Sequence, residues 1–325
     1  MIYYIIRRVL AALPVLIGVN LLTFSLFFIV NTPDDMARAH LGYKYINQQA
    51  VDTWKKEHGY DKPLFYNPSG AGLDKYTDTL FVDKSLKLFM FDFGSSDQGH
   101  DISHAIYQRM WPSLSVALPM LIIGLLIEIL FAMMMVFFRS TYLDLWGVII
   151  CVSMMSISGL FYIIGGQFLL AKELKWVPIS GYGEGLTIMK FVLLPIIVGV
   201  IGSIGGNSRW YRTIFLEEIS KDYVRTARAK GLPELRVLFK HVLKNAMIPI
   251  LTGIVVIIPS LFMGSLILES FFGIPGLGSY TIDAIGQQDF AIVRAMVFLG
   301  SVLYILGLIL TDISYTWVDP RVRLE

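Results

Sequence analysis

Charge is what this sequence has least of. Only 16% of its 325 residues are Asp, Glu, Lys or Arg, against 55% hydrophobic, and the mean hydropathy is +0.63. Soluble domains carry about a quarter charged residues, so water is excluded as the main solvent. Cysteine is nearly missing: the single thiol, Cys151, lies inside an apolar run, which leaves no disulfide framework and no thiolate metal site. No Gly-x4-Gly-Lys-Ser/Thr stretch occurs, so the chain cannot cradle a nucleotide phosphate by the P-loop route. His-Glu-x-x-His and Gly-x-Ser-x-Gly are missing as well, and all five histidines (His40, His58, His100, His104 and His241) stand outside the apolar runs. No catalytic residue, no cofactor and no nucleic-acid partner are expected. There is no low-complexity segment and no visible internal repeat, which weighs against the inverted-repeat architecture of many secondary transporters.

What is present is a series of apolar runs. Residues 9–30, 145–171, 191–208, 245–268 and 295–311 contain no Asp, Glu, Lys or Arg, and residues 111–138 are interrupted once, by Glu128. About 20 residues of helix cross the hydrocarbon core, so these predict an all-α polytopic membrane protein with six transmembrane helices. The first run is longer than the apolar region of a signal peptide and has no small-x-small cleavage site. Three parts are expected: residues 1–31 as the N-terminus and first helix, 32–110 as a long external loop, and 111–325 as a core of five helices. Basic residues set the orientation. Arg7, Arg8, Arg139, Arg321 and Arg323 flank spans on one side, together with nine Lys and Arg in residues 209–244, whereas residues 269–290 have none. Both termini and the 209–244 segment are therefore placed in the cytoplasm.

The external loop has turn signals at Asn67-Pro68-Ser69-Gly70 and Gly94-Ser95-Ser96, a helix near residues 47–58, and otherwise low expected regularity. Asp101 reads as a helix start. His100 and His104, beside Asp97 and Asp101, have a spacing that could hold a metal, but a polar external loop explains them more simply, and no metal is assigned.

The segment "KDYVRTARAKGLPELRVLFKHVLKNAMIP", residues 221–249, is basic at almost every turn and broken at Gly231-Leu232-Pro233. A helix is expected over residues 217–230, with Gly231 as its left-handed terminator and Pro233 in the first turn of a second helix. There Leu235, Leu238, Phe239 and Val242 would form an apolar face, with Arg236, Lys240 and Lys244 on another. The small Ala227 and Ala229 leave room for another backbone. A loop that only fixes orientation needs no such break, so this one is built to be gripped.

These residues resemble the cytoplasmic EAA loop of permease subunits of ATP-binding-cassette importers, and most closely the oligopeptide/dipeptide branch. The general pattern is Glu-Ala-Ala, three residues, Gly, nine residues, Ile-x-Leu-Pro. Only Ala227, Gly231 and Leu243 keep it, but "RTARAKGL" is similar to the peptide branch's own version. "MIYYIIRRVLAALPVLIGVNLLTF", "LKWVPISGYG", "ESFFGIPGLGSY" and "YTWVDPRVRL" resemble further stretches of that branch, in order, from residue 1 to residue 324.

The resemblance implies a type I importer permease fold in a bacterial cytoplasmic membrane, forming half of a pathway for peptides. It implies four kinds of partner besides the bilayer: a second similar permease, two ATPases that bind the ATP, and an extracytoplasmic solute-binding protein. The docking residues it implies are Asp222, Tyr223, Arg225, Thr226, Ala227, Arg228, Ala229, Lys230, Gly231 and Leu232. Glu269, Pro275, Gly276, Leu277 and Gly278 form the matching external turn, expected to be tight and non-helical with Gly276 and Gly278 at positive φ. Glu128, Asn20 and Ser156 are candidate pathway residues. Glu128 could equally pair with a cation on a neighbouring helix or sit near the boundary, since ionisable residues in spans are costly. The rival readings are the same machine with another cargo (a nickel chelate, an opine-like compound or a modified peptide) and an ion-coupled secondary transporter.

Overall fold

The computed structural model describes residues 2–42, 47–70 and 72–318. Arg321, Arg323 and the rest of the "DPRVRL" motif lie outside the described residues. The helices are α1 (Ile2–Ser25), α2 (Pro33–Leu41), α3 (Gln48–Glu57), α4 (Asp74–Thr77), α5 (Leu80–Lys84), α6 (Ile102–Phe137), α7 (Tyr142–Ser156) and α8 (Gly159–Gly166). They continue as α9 (Ile188–Ile219), α10 (Asp222–Ala229), α11 (Glu234–Val237), α12 (Leu243–Ile257), α13 (Leu266–Phe272), α14 (Leu277–Gln287) and α15 (Phe290–Val318). No strand occurs among the described residues. The chain is an all-α polytopic membrane protein.

Five helical rods among the described residues are long and apolar enough to span a bilayer: Ile6–Val30, Ile102–Phe137, Gly185–Ile219, Glu234–Met263 and Phe290–Ser314. The expected third span is not one rod. Tyr142–Ser156 and Gly159–Glu173 meet at a 90° bend, because Ile157 (ψ 128°) and Ser158 (ψ 143°) are extended. Apolarity reports where a segment is buried, not whether it is straight.

The chain forms two compact units, residues 1–109 with 280–309, and residues 110–279 with the segment from Leu310. In the first, the end of the first span brings Phe24 and Phe28 into a buried cluster with Met36, Val51, Trp54, Tyr60 and Leu80. The long connection after the first span is thus more ordered than its sequence suggests, because aromatic side chains scattered along it converge on the span. Its helices are capped locally: Thr32 and Asp35 make a capping box on α2, and Asn47 caps α3. Lys62 bridges Asp78 and Asp83, and those carboxylates raise its pKa to about 12. Asp101 caps α6 through His104 N at 3.0 Å, as expected. Nothing in the pattern of apolar runs marks Arg294. It is 2% exposed, its guanidinium is 5.3 Å from the Phe28 ring centre, and its Nε and Nη1 make no hydrogen bond with the described residues.

In the second unit α9 packs against α7, α8 and α12. Gly205 allows a close crossing of α7 and α9: a Cβ there would lie 2.7 Å from the Cys151 carbonyl. The first residues of the basic 209–244 segment are not a loop, since α9 runs on to Ile219 as one helix. Arg212 on that extension grips Asp144 through two bonds of 2.8 Å, a bidentate pair that pins the start of α7 to α9.

Candidate functional site

The basic segment is a short helix and an elbow set on an internal core. The single helix expected over residues 217–230 is divided at Ser220 into the end of α9 and the separate α10. Glu218 anchors the junction by accepting bonds from Lys221 Nζ at 2.5 Å and from the Tyr223 hydroxyl. Burial, and then that bond, push the Tyr223 pKa up to about 12.

At the far end of α10 the chain makes a Schellman motif. Gly231 N donates to Arg228 O at 2.9 Å and Leu232 N donates to Ala227 O at 3.4 Å, with Gly231 at φ +77°. This is the left-handed terminator read from the sequence. Pro233 caps α11 and is not in its first turn. Across the elbow, Arg228 Nε and Nη2 donate to Glu234 at 3.0 and 2.6 Å. Glu234 in turn raises the Arg228 pKa. The angle between α10 and α11 is therefore held twice, by backbone bonds and by a bidentate ion pair.

Two expectations about faces are corrected. Ala227 is 4% exposed and packs in a core with Val224, Val237, Leu238, Val242 and Phe215. Its smallness is spent inside the chain and not on a partner. The buried face after the elbow is Val237, Leu238, Val242 and Ala246, while Leu235 and Phe239 are exposed. A π-helical turn over Leu238–Val242 shifts the register away from the simple i, i+3, i+4, i+7 pattern. What α10 and the elbow present outward is Asp222, Arg225, Thr226, Ala229, Lys230 and Gly231, with Tyr223, Arg228 and Leu232 half-buried. Arg236, Lys240 and Lys244 are exposed too.

The Glu269 turn has a different construction from the one expected. Gly276 and Gly278 have ordinary φ, and Leu277 and Gly278 already belong to α14; the left-handed glycines are Gly264 (φ +66°) and Gly273 (φ +63°). Gly276 and Gly278 are needed for space instead. A Cβ on Gly278 would lie 2.6 Å from the Ser265 backbone, and one on Gly276 would collide with Glu269. The reason is the carboxylate itself. Glu269 is 1% exposed and accepts from Gly278 N at 2.8 Å, Ser279 N at 3.1 Å and Ser265 N at 3.3 Å. It thereby caps the start of α14, with Ser113 Oγ accepting from Leu277 N at 2.8 Å alongside. Burial raises the Glu269 pKa, and its hydrogen bonds from Ser113, Ser279, Gly278 and Ser265 oppose that rise. Pro275 precedes the cradle in the Gly273–Gly276 link. Ser113, Ser265 and Ser279, which complete the cradle, had no signal in the sequence.

Glu128 is 3% exposed and lies on the wall of a cavity of about 330 Å³. Its Oε1 accepts from Ser203 Oγ at 2.6 Å and Asn207 Nδ2 at 2.9 Å. The other two candidate pathway residues do not join it on that wall. Asn20 donates to the Ser85 carbonyl at 3.2 Å, and the exposed Ser156 donates to Val152 O in its own helix. His104 Nε2 lies 2.7 Å from the Gln108 amide nitrogen.

Residues 106–324 match the family described as binding-protein-dependent transport system inner membrane component. Residues 1–120 match that family's N-terminal membrane component. The chain belongs to this family and is a permease subunit of the ATP-binding-cassette importer type. It is similar to the oligopeptide transport system permease protein AppB of Bacillus subtilis, at 30% identity over 98% of this chain and 99% of that protein. It is 31% identical to a putative peptide transport system permease protein of Brucella abortus, over 99% of each. The glutathione transport system permease protein GsiC of Shigella flexneri is 28% identical over the full length of both.

Proposed function

We propose that this permease carries peptides across a bacterial cytoplasmic membrane as half of a translocation pathway. A second, similar permease supplies the other half. Two separate ATPases bind the nucleotide, and an extracytoplasmic binding protein delivers cargo. Both chain termini and the α10 elbow lie on the cytoplasmic side. The observation that carries this reading is the elbow: a helix of eight residues, held rigidly by the Schellman bonds and the Arg228–Glu234 pair, with a charged outer face. A rigid lever transmits the closure of an ATPase, whereas a floppy loop would absorb it. The peptide cargo rests on the printed names of full-length relatives, and the glutathione relative keeps modified peptides within the same class.

Two measurements test it. In proteoliposomes holding the permease with its partners, ATP on the ATPase side is expected to drive labelled tripeptide uptake that survives a protonophore. The permease alone should carry nothing. Gradient-driven uptake by the isolated chain would make it a secondary transporter instead. For orientation, Leu73 is 80% exposed, Lys230 is exposed and the sole native thiol is buried. Leu73→Cys is expected to react with an impermeant thiol reagent on intact cells, and Lys230→Cys only after permeabilisation. The reverse pattern would invert the topology.

A further inference from the structure

Within the second unit, the cavity bounded by α6, α9 and α12 has one charged group, Glu128, and among the described residues no ion-pair partner for it. Glu128 holds its position through Ser203 and Asn207, both donating to Oε1. Oε2 makes no hydrogen bond with the described residues, and no Lys, Arg or His stands on the cavity wall. An ionisable group this deep is costly and is normally matched by a partner. Two neutral donors on one oxygen orient the carboxylate without cancelling its charge. The rest of the wall suits a cation as well. Trp210 and Tyr211 line the same space, and aromatic faces attract ammonium groups. Gly124, one turn before Glu128, and Gly253 opposite Trp210 keep side chains out of the opening. At about 330 Å³ the cavity is at the small end of ligand sites.

We propose that the Glu128 cavity binds the protonated primary amine of the cargo, the peptide's amino terminus, as it passes. This rests on the peptide reading for the identity of the cargo. The chemistry of the site, an ammonium against an oriented carboxylate beside two aromatic rings, does not. Glu128→Gln keeps an acceptor for Ser203 and Asn207 and removes only the charge.

The test has two arms on the complete importer. In the first, the purified complex is treated with dicyclohexylcarbodiimide, which modifies carboxyls in apolar surroundings, and labelling at Glu128 is followed by mass spectrometry. Phenylalaninamide, a cation, is expected to protect Glu128, and neutral N-acetylphenylalaninamide is not. No labelling at Glu128, protection by neither amide, or equal protection by both would overturn the site. In the second arm, trialanine uptake by Glu128→Gln is expected to fall about tenfold or more at unchanged permease level, as the loss of one charged contact requires. Unchanged uptake would overturn its part in transport. If the wild-type importer takes up no trialanine, the peptide reading fails, and the protection arm still decides whether the cavity holds an amine.

Discussion

Valine at position 231 is expected to abolish import while leaving the permease in the membrane. Gly231 sits at φ +77°, and nothing lies within 4 Å of the place a Cβ would take. The penalty is therefore conformational: an L residue in the left-handed region costs about 1–2 kcal/mol, and a β-branched one is restricted further. Relief comes by turning φ negative, which breaks both Schellman bonds and swings α10 away from α11. Interface energy is concentrated in a few residues, so misplacing the outer face of α10 by about 3 kcal/mol weakens docking more than a hundredfold. Insertion depends on apolar runs far from the elbow and should not change.

ATPase copurification and uptake should fall together, in the order Gly, Asn, Ala, Val, because asparagine tolerates the left-handed region best of the three replacements. Normal docking and uptake in Gly231→Val would sink the lever. A paired comparison separates docking from folding. Ala227→Asp buries a carboxylate in the core beside Val224 and Val237, so it should make the segment protease-sensitive. Ala229→Asp, on the exposed face, should leave it resistant and weaken docking alone.

Removal of the Glu269 carboxylate is expected to have the largest effect on stability. Glu269→Ala orphans the buried N–H groups of Gly278 and Ser279 and the half-buried one of Ser265. Each buried unsatisfied donor costs about 1–3 kcal/mol, so the total reaches several kcal/mol, a large part of a typical folding free energy. Glu269→Gln keeps one acceptor and should fall between wild type and alanine. Gly278→Ala should be severe for a steric reason, since its methyl would lie 2.6 Å from the Ser265 backbone, which cannot rotate away as a side chain can. The readout is the amount of monodisperse permease extracted from membranes and its thermal midpoint in detergent. A Glu269→Ala protein with wild-type yield and midpoint would show that water or another group replaces the carboxylate. The same variant should leave α10 intact, because its core of Val224, Ala227 and Val237 does not include the cradle.

The sequence alone determined the properties that depend on neighbours along the chain. Spans are legible because crossing a bilayer demands a continuous apolar run of fixed length. The break at Gly231 is legible because a helix terminator acts through its own φ and the carbonyls of the preceding turn. The Asp101 and Asn47 helix starts are local for the same reason. Tertiary structure decided whatever depends on residues far apart in the chain. Arg212 meets Asp144 across 68 positions, Glu128 meets Asn207 across 79, and Leu277 meets Ser113 across 164. No periodicity encodes such pairs. It also decided which side of the post-elbow helix is buried, since a π-helical turn and the pull of the α9 core set a register that a regular helical count cannot supply. Gly276 and Gly278 belong to the same class. Glycine marks a place where a side chain is not tolerated, but only the folded cradle around Glu269 reveals that the reason is space and not backbone angle.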